Sequence, residues 1–386
     1  MKASSVAVEM GWSGPRQTRL EQSEQVEIST GDLANLVRAL RFPGQFFTTA
    51  PGSKVLPEDL LFRAPKATTL SEKDYLAQFS ACVGDLLDTM DSIDRLPPVR
   101  LPRVASGTAS QWVAAQVREV LGVELDQPIG YLMHELERAG VPVVVRSRGV
   151  GDTPLEWETN QSGPLAEKHL GYSSWTGSFG ARPLVVLRAV DSWERTRWTV
   201  AHEIGHLVMH TGRTTGEAEE AEASRFASEL LAPRDAIAAE LPAHVTLFNL
   251  LDIKLKWGIS ISALVRHLFE TGLITEQRYQ MLGKQIYTRR NPATGRTWGR
   301  TEPGWDARRP ERPRLLSKWA ERCYRTAHPG MLTSMGLIWP QDLLEEMLAL
   351  QRTAPASDGR QRPVVPAATG HASVIDFEFQ RRSRRA

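Results

Sequence analysis

Apolar residues recur at three- and four-residue spacing along much of the chain, the periodicity of helices that bury one face. In the first fifty residues this pattern predicts short helices over "SSVAVEM", over "GPRQTRLEQ" and from Ser29 onward. Ser13 is placed to cap the second helix, with Pro15 in its first turn, where a missing N–H does no harm. A longer helix is predicted from Ser71 to about Met90.

A second periodic region begins near residue 107, after the stretch "RLPPVRLP", whose prolines disfavour helix. Strands are predicted over the β-branched or alternating stretches "VPVVVRS", "PLEWE" and "RPLVVLRA". Helices are predicted over "ASQWVAAQVREVLG", "IGYLMHELERAG", "RWTVAHEIGHLVMH", "EAEEAEASRFASELLAP", "LFNLLDIKLKWG" and "SISALVRHLFETG". The expected fold class is therefore α+β and mostly helical, with a small sheet.

The same pattern divides the chain into five expected segments. They are a small all-α unit over 1–50, a helical linker region over 51–106, an α+β domain over 107–290, a loop-rich extension over 291–351 and a tail over 352–386. The tail is predicted to be disordered, because it lacks hydrophobic periodicity and ends in "RRSRRA".

Composition narrows the function classes only slightly. With 41% hydrophobic and 24% charged residues and a net charge of +2, the 386-residue chain does not have the strong basic bias of a general nucleic-acid binder. Cys82 and Cys323 lie far apart in sequence and form no disulfide framework, which favours a reducing compartment. No apolar run has the length of a membrane span, and the first residues lack a hydrophobic signal core, so a cytoplasmic protein is expected.

The candidate chemistry lies in the stretch His-Glu-x-x-His over residues 202–206. Residues four apart share a helix face, so His202 and His206 can direct two imidazoles at one metal ion. Glu203 flanks that face and can take the proton of a zinc-bound water, whose pKa the metal lowers. Gly205 weakens a helix, a cost that makes sense if another element packs closely there.

A catalytic zinc usually has three protein ligands, so a third must be found elsewhere. His210 continues the row, but the helix face has rotated by about 80° from His202, so His210 is expected to be a structural or outer-shell residue. Glu222 lies four residues before Phe226 on the apolar face of the next helix, which predicts it as the third ligand. Glu219 is the runner-up or a partner for an imidazole N–H. Glu217 and Glu220 are assigned to a solvated face.

These segments resemble the ImmA/IrrE family of metallo-endopeptidases. The matching stretches are "ERTRWTVAHEIGHLVMH" and "EAEASRFASELLAP", with support from "QPIGYLMHELERAGVPVVV" and "KLKWGISISALVRHLFETGLIT". The resemblance covers about residues 107–290. It implies a zincin-like domain in which one zinc ion, or alternatively Mn²⁺ or Fe²⁺, is held by His202, His206 and Glu222, with Glu203 as general base. It also implies a helix-turn-helix repressor as the protein substrate, in stress responses or mobile elements. Ser224 stands where the family often has Asn.

The first residues resemble the middle of an XRE-type helix-turn-helix, with Gly11 as the turn and Ser13–Gln22 as the recognition helix. On this interpretation residues 4–47 contact DNA, and Arg16, Gln17 and Arg19 reach bases or phosphates. The usual first helix of that fold is missing, so either the true start lies upstream, or the unit is a truncated relic, or it docks on another protein. A small helical packing module is the alternative.

Two functions remain open from the sequence. The first is a zinc-dependent endopeptidase that cleaves a repressor. The second is a transcription regulator whose peptidase-like domain senses a signal or partner without proteolysis, and an intact Glu203 favours the first. Tyr172 and His169 are candidates for stabilising the oxyanion, although both are more simply interpreted as ordinary loop residues.

Overall fold

The computed structural model describes residues 3–23, 26–62, 70–105, 107–146, 171–187, 192–212 and 216–350. The predicted strand "PLEWE", the candidate His169 and the predicted disordered tail lie outside the described residues.

The elements alternate between many helices and a few short strands. The helices before the sheet are α1 (Ala3–Met10), α2 (Gly14–Gln22), α3 (Thr30–Leu40), α4 (Gly44–Thr48), α5 (Leu70–Ile93), α6 (Ser110–Leu121) and α7 (Leu132–Arg138). The strands are β1 (Leu61–Phe62), β2 (Val143–Val145), β3 (Gly171–Thr176) and β4 (Arg182–Leu187). The helices after the sheet are α8 (Trp193–Met209), α9 (Glu217–Leu231), α10 (Arg234–Glu240), α11 (Asn249–Trp257), α12 (Ile261–Glu270), α13 (Glu276–Thr288), α14 (Leu315–Tyr324), α15 (Pro329–Ser334) and α16 (Gln341–Met347). None of the helices in the described ranges is both long and apolar enough to cross a bilayer.

The first four helices enclose a small cluster of their own, built on Val6, Trp12 and Leu36. Ser29 caps α3, since its side chain accepts a hydrogen bond from the Asp32 amide. Ser13 occupies the cap position of α2, but its side chain makes no capping hydrogen bond there, contrary to the expectation from sequence. The turn between α1 and α2 passes through Gly11, whose φ of +64° suits glycine.

The sheet has the strand order β1-β3-β4-β2. β3 pairs antiparallel with both β1 and β4, whereas β2 and β4 run parallel. β2 and β4 were expected from their β-branched residues, whereas β3, "GYSSWT", and the two-residue β1 were not. The prediction of a mostly helical α+β fold with a small sheet is confirmed.

The sheet is covered on both faces. Apolar residues of α6, α7, α8 and α9 pack on one face, where Val185 and Leu187 of β4 contribute to the shared core. On the other face, α5 and the C-terminal helices α14 and α16 share a core with Tyr172 and Val186. The segments 51–106 and 291–351 therefore contribute to the same core as the sheet, while the proposed boundaries between them remain predictions.

The extension after residue 290 is joined to the rest of the fold by buried charges. The carboxylate of Glu311 lies 2.5 Å from Arg197 of α8, and both side chains are buried. Two other pairs of this kind are Glu346 with Arg146 and Glu302 with Lys254. A charge removed from water needs an opposite charge and hydrogen bonds, so these pairs define where the extension docks.

Candidate metal centre

The helix α8 carries the predicted motif and is buried on almost all of its sides. Ser192 caps its first turn by accepting a hydrogen bond from the Arg195 amide. Further along, His202, Glu203, His206 and His210 are all essentially inaccessible to solvent. Buried polar side chains require partners, and the partners of these four define the site.

His202 and His206 meet a carboxylate from α9. Their Nε2 atoms lie 3.1 Å apart, and the carboxylate oxygens of Glu220 lie 3.2 Å from His202 Nε2 and 3.3 Å from His206 Nε2. Ligand atoms at about 2.0–2.2 Å from one tetrahedral zinc would be about 3.3–3.6 Å apart, which is close to these separations. Within the described ranges this trio, His202, His206 and Glu220, is the group of side chains whose atoms converge in the way a metal ion requires.

The third member of the cluster is therefore Glu220, not the predicted Glu222. Two residues along a helix turn the side chain by about 200°, so the two glutamates leave α9 on different sides. The side of α9 that packs against α8 carries the small residues Ala223 and Ala227, both fully buried. Glu220 precedes them by one and two helical turns, and this spacing is the sequence signal that could have identified it.

Glu220 was assigned to a solvated face, and the structure overturns that assignment. Its side chain is only 19% exposed, and its two carboxylate oxygens face the Nε2 atoms of His202 and His206. Burial raises the pKa of the Glu220 carboxyl, but hydrogen bonds with His202 and His206 outweigh this effect and lower the pKa to about 2. An ionised, largely buried carboxylate that faces two imidazoles has the chemistry of a metal ligand.

Glu203 directly follows His202 on α8, and its carboxylate is bound by a residue of the sheet. Ser173 of β3 donates a hydrogen bond from Oγ to Glu203 Oε2, at 2.9 Å. This contact was not predicted, because β3 was not recognised as a strand. On the other side, the Trp198 ring stacks on His202 with 5.1 Å between ring centroids.

The remaining predicted residues around α9 take other positions. Glu222 Oε2 lies 3.1 Å from His210 Nε2, and His210 Nδ1 lies 3.0 Å from His206 Nδ1. Glu219 accepts a hydrogen bond from the Gly216 amide at the start of α9. Ser224 Oγ lies 3.5 Å from His202 Nδ1, at the limit of a hydrogen bond.

Gly205 marks the closest approach of α8 and α9. A Cβ atom built there would lie 2.9 Å from Phe226 Cδ1 and 3.2 Å from Ala223 Cα, closer than packed atoms allow. The inference that another element packs tightly at Gly205 is confirmed. This approach brings the Glu220 carboxylate within reach of the histidines.

Tyr172 lies on the opposite side of the sheet from the metal cluster. Its hydroxyl accepts a hydrogen bond from Ser80 and donates one to the Leu76 carbonyl, both in α5. Burial raises the pKa of this hydroxyl strongly. The position of Tyr172 does not support a role in stabilising an oxyanion.

The three side chains predicted to contact DNA differ in accessibility. Gln17 is buried, with 7% exposure. Arg16 is half-exposed, and its guanidinium lies 2.6 Å from the Asp32 carboxylate. Arg19 is exposed. Arg16 and Arg19 are therefore accessible on α2, whereas Gln17 is buried and is not available for a contact with DNA.

Part of the chain that contains this site also matches the model of a known protein family. Residues 137–269 match the Peptidase_M78 model, described as the IrrE N-terminal-like domain. The matched segment runs from α7 to α12 and contains the whole cluster. The match supports the zincin-like class expected from the sequence. No curated protein matches the chain.

Proposed function

We propose that the protein is a zinc-dependent endopeptidase, since residues 137–269 match the Peptidase_M78 model of the IrrE N-terminal-like domain. The observation that carries the proposal is the convergence of His202, His206 and Glu220 beside the buried carboxylate of Glu203. Two imidazoles and one carboxylate form a ligand set that catalytic zinc sites use, with a further position left for water or substrate. Mn²⁺ and Fe²⁺ accept the same donors and are alternatives to zinc.

Each residue then has a defined task. His202, His206 and Glu220 would hold the ion. When bound, the ion would lower the pKa of a water molecule and polarise the carbonyl of the peptide bond. Glu203 would act as general base, taking a proton from the attacking water and delivering it to the leaving amine nitrogen. Ser173 fixes the carboxylate of Glu203 through its 2.9 Å hydrogen bond. The surrounding burial excludes bulk water from these groups.

For the substrate we propose a helix-turn-helix repressor protein, cleaved to release gene expression. This part of the proposal rests on the resemblance of the chain to the ImmA/IrrE family. It agrees with the protein substrates that a peptidase domain implies.

The alternative function is a DNA-binding regulator without proteolysis. It is supported by the paired helices α1 and α2, the positive φ at Gly11 and the exposed side chain of Arg19. The burial of Gln17 weakens it. A gel-shift titration of the full chain would support it through a salt-sensitive, sequence-selective complex, and absence of such a complex would remove this alternative.

The test of the proposed function combines metal analysis with cleavage. Purified wild-type protein should hold about one zinc ion per chain and should cleave a helix-turn-helix repressor encoded beside its gene, with denatured casein as a second substrate. His202→Ala and Glu220→Ala should lose the metal, because each removes a proposed ligand. Glu203→Gln should keep the metal and lose cleavage by several orders of magnitude.

The control is Glu217→Ala, which removes an exposed carboxylate from the first turn of the same helix. It should bind zinc and cleave as the wild type does. Retention of full zinc content by Glu220→Ala would refute the proposed ligand set. Cleavage by Glu203→Gln at the wild-type rate would refute the mechanism.

A further inference from the structure

Three histidines follow one another along α8 at four-residue spacing, and the proposed ligand set uses only two of them. His206 is the middle member, and both of its ring nitrogens are engaged. Its Nε2 faces His202 and Glu220, whereas its Nδ1 lies 3.0 Å from Nδ1 of His210. His210 is fully buried, and its Nε2 lies 3.1 Å from Glu222 Oε2. These contacts link Glu222 to the cluster through two imidazole rings.

The protonation of a metal-bound His206 determines which atom donates in each hydrogen bond of this series. An imidazole that binds a metal through Nε2 must carry its remaining proton on Nδ1. The Nδ1–H of His206 then donates to His210, which has to accept through an unprotonated Nδ1. A neutral His210 therefore carries its proton on Nε2, where the Glu222 carboxylate accepts it. Every donor in the series meets an acceptor, and no proton is left over.

The two ends of the series are held by different parts of the fold. His210 follows α8 as its C-terminal cap residue, and its amide donates a hydrogen bond to the His206 carbonyl 2.9 Å away. Glu222 is held from a third helix, because Ser110 of α6 donates a hydrogen bond to the Glu222 carbonyl. The arrangement thus depends on three helices that pack together.

We propose that His210 and Glu222 are positioning residues for His206: they fix its tautomer and ring orientation, so that Nε2 is ready to bind the metal. The proposal rests on the proposed metal centre and deepens it. Partners of this kind, which bond to the outer nitrogen of a ligating histidine, typically change metal affinity by 10- to 100-fold. Glu222 therefore acts on the centre through two rings, without being a ligand.

The first test measures zinc affinity by competition with a chromophoric chelator, so that no cleavage is needed. His210→Ala should bind one zinc ion per chain at saturation, but with an affinity about 10- to 100-fold lower than the wild type. Glu222→Ala should lower the affinity in the same direction. Glu222→Gln should recover much of the loss, since its amide oxygen can still accept the His210 Nε2–H. Glu217→Gln, an exposed carboxamide substitution on the same helix, is the matched control and should leave the affinity unchanged.

The second test uses the unaltered protein, because removing a buried histidine can disturb folding. Long-range ¹H–¹⁵N NMR of the zinc-loaded wild type should show His206 protonated at Nδ1 and His210 protonated at Nε2. The signals of His210 are assigned by their absence in His210→Gln. A His210 that carries a proton on Nδ1 would overturn the proposal, as would wild-type zinc affinity in both His210→Ala and Glu222→Ala.

These outcomes separate the inference from the proposed function. If the wild type binds zinc and cleaves its substrate, while His210→Ala and Glu222→Ala both retain full affinity, only the positioning role is refuted. If the wild type binds no zinc, the proposed metal centre itself fails. If Glu222→Ala loses all zinc even at saturating concentration, Glu222 is a ligand, and the assignment of Glu220 is wrong.

Discussion

Ser173 and Glu203 connect a strand to the helix of the metal cluster through one buried hydrogen bond. Ser173 Oγ donates to Glu203 Oε2 at 2.9 Å. Hydrogen bonds to charged groups contribute about 1.5–3 kcal/mol, and here that energy holds a carboxylate in one orientation. The next residue in β3, Ser174, is equally buried, but its Oγ has no hydrogen-bond partner among the described residues. Side chains alternate along a strand, so Ser174 lies on the opposite face of the sheet.

At this scale we predict that Ser173→Ala lowers kcat by about ten-fold or more, since 1.4 kcal/mol corresponds to a factor of ten in rate. KM and zinc content should remain close to the wild-type values, because Glu203 is expected to orient the reacting water without holding substrate or metal. Ser174→Ala is the matched control and should leave kcat unchanged. Steady-state kinetics of repressor cleavage provide the measurement. Equal kcat values for both variants would contradict the orienting role.

The contact between α8 and α9 determines the geometry of the cluster at the scale of elements. Gly205 on α8 faces Phe226 and Ala223 on α9, with no room for a methyl group. Because the Glu220 carboxylate reaches the histidines across this contact, the separation of the two helices sets the ligand distances. Gly283, in the middle of α13, has no atom within 4 Å of the position of an added Cβ.

We predict opposite effects of alanine at these two glycines. Gly205→Ala should lower the free energy of unfolding by about 1–3 kcal/mol, because overpacking outweighs the gain in helix propensity. Gly283→Ala should raise the free energy of unfolding by about 0.5–1 kcal/mol, since only the propensity gain remains. Urea denaturation followed by circular dichroism measures both changes. A stabilised Gly205→Ala protein would show that the helices do not meet this closely.

At the scale of the whole molecule, the C-terminal extension supports the helix that carries the motif. Glu311 pairs with Arg197 of α8 and also accepts a hydrogen bond from the Met133 amide of α7. Glu137 of α7 in turn accepts hydrogen bonds from the amides of Arg314 and Leu315 in the extension. Burial raises the pKa of Glu137 to about 7. These contacts show that the extension is part of the folded unit.

We predict that Glu311→Ala lowers the free energy of unfolding by about 3–5 kcal/mol, because it leaves the Arg197 guanidinium buried without its counter-charge. Glu270→Ala is the comparison. It breaks the more exposed pair with Arg266, and such pairs contribute at most about 1 kcal/mol. Urea titrations of the two variants measure the difference. Similar midpoints for both would show that Glu311 does not support α8.

Local sequence determined the helix with His202, Glu203 and His206, because a four-residue spacing places side chains on one face wherever a helix forms. It also determined the strands rich in β-branched residues, since their pattern requires no information from distant residues. The polar strand β3 could not be recognised in this way, because pairing with β4 and burial stabilise it more than its own composition does. The choice of Glu220 over Glu222 depended on the rotation of α9 against α8. Only the tertiary structure decided that rotation, through the close packing of Gly205 against Phe226 and Ala223.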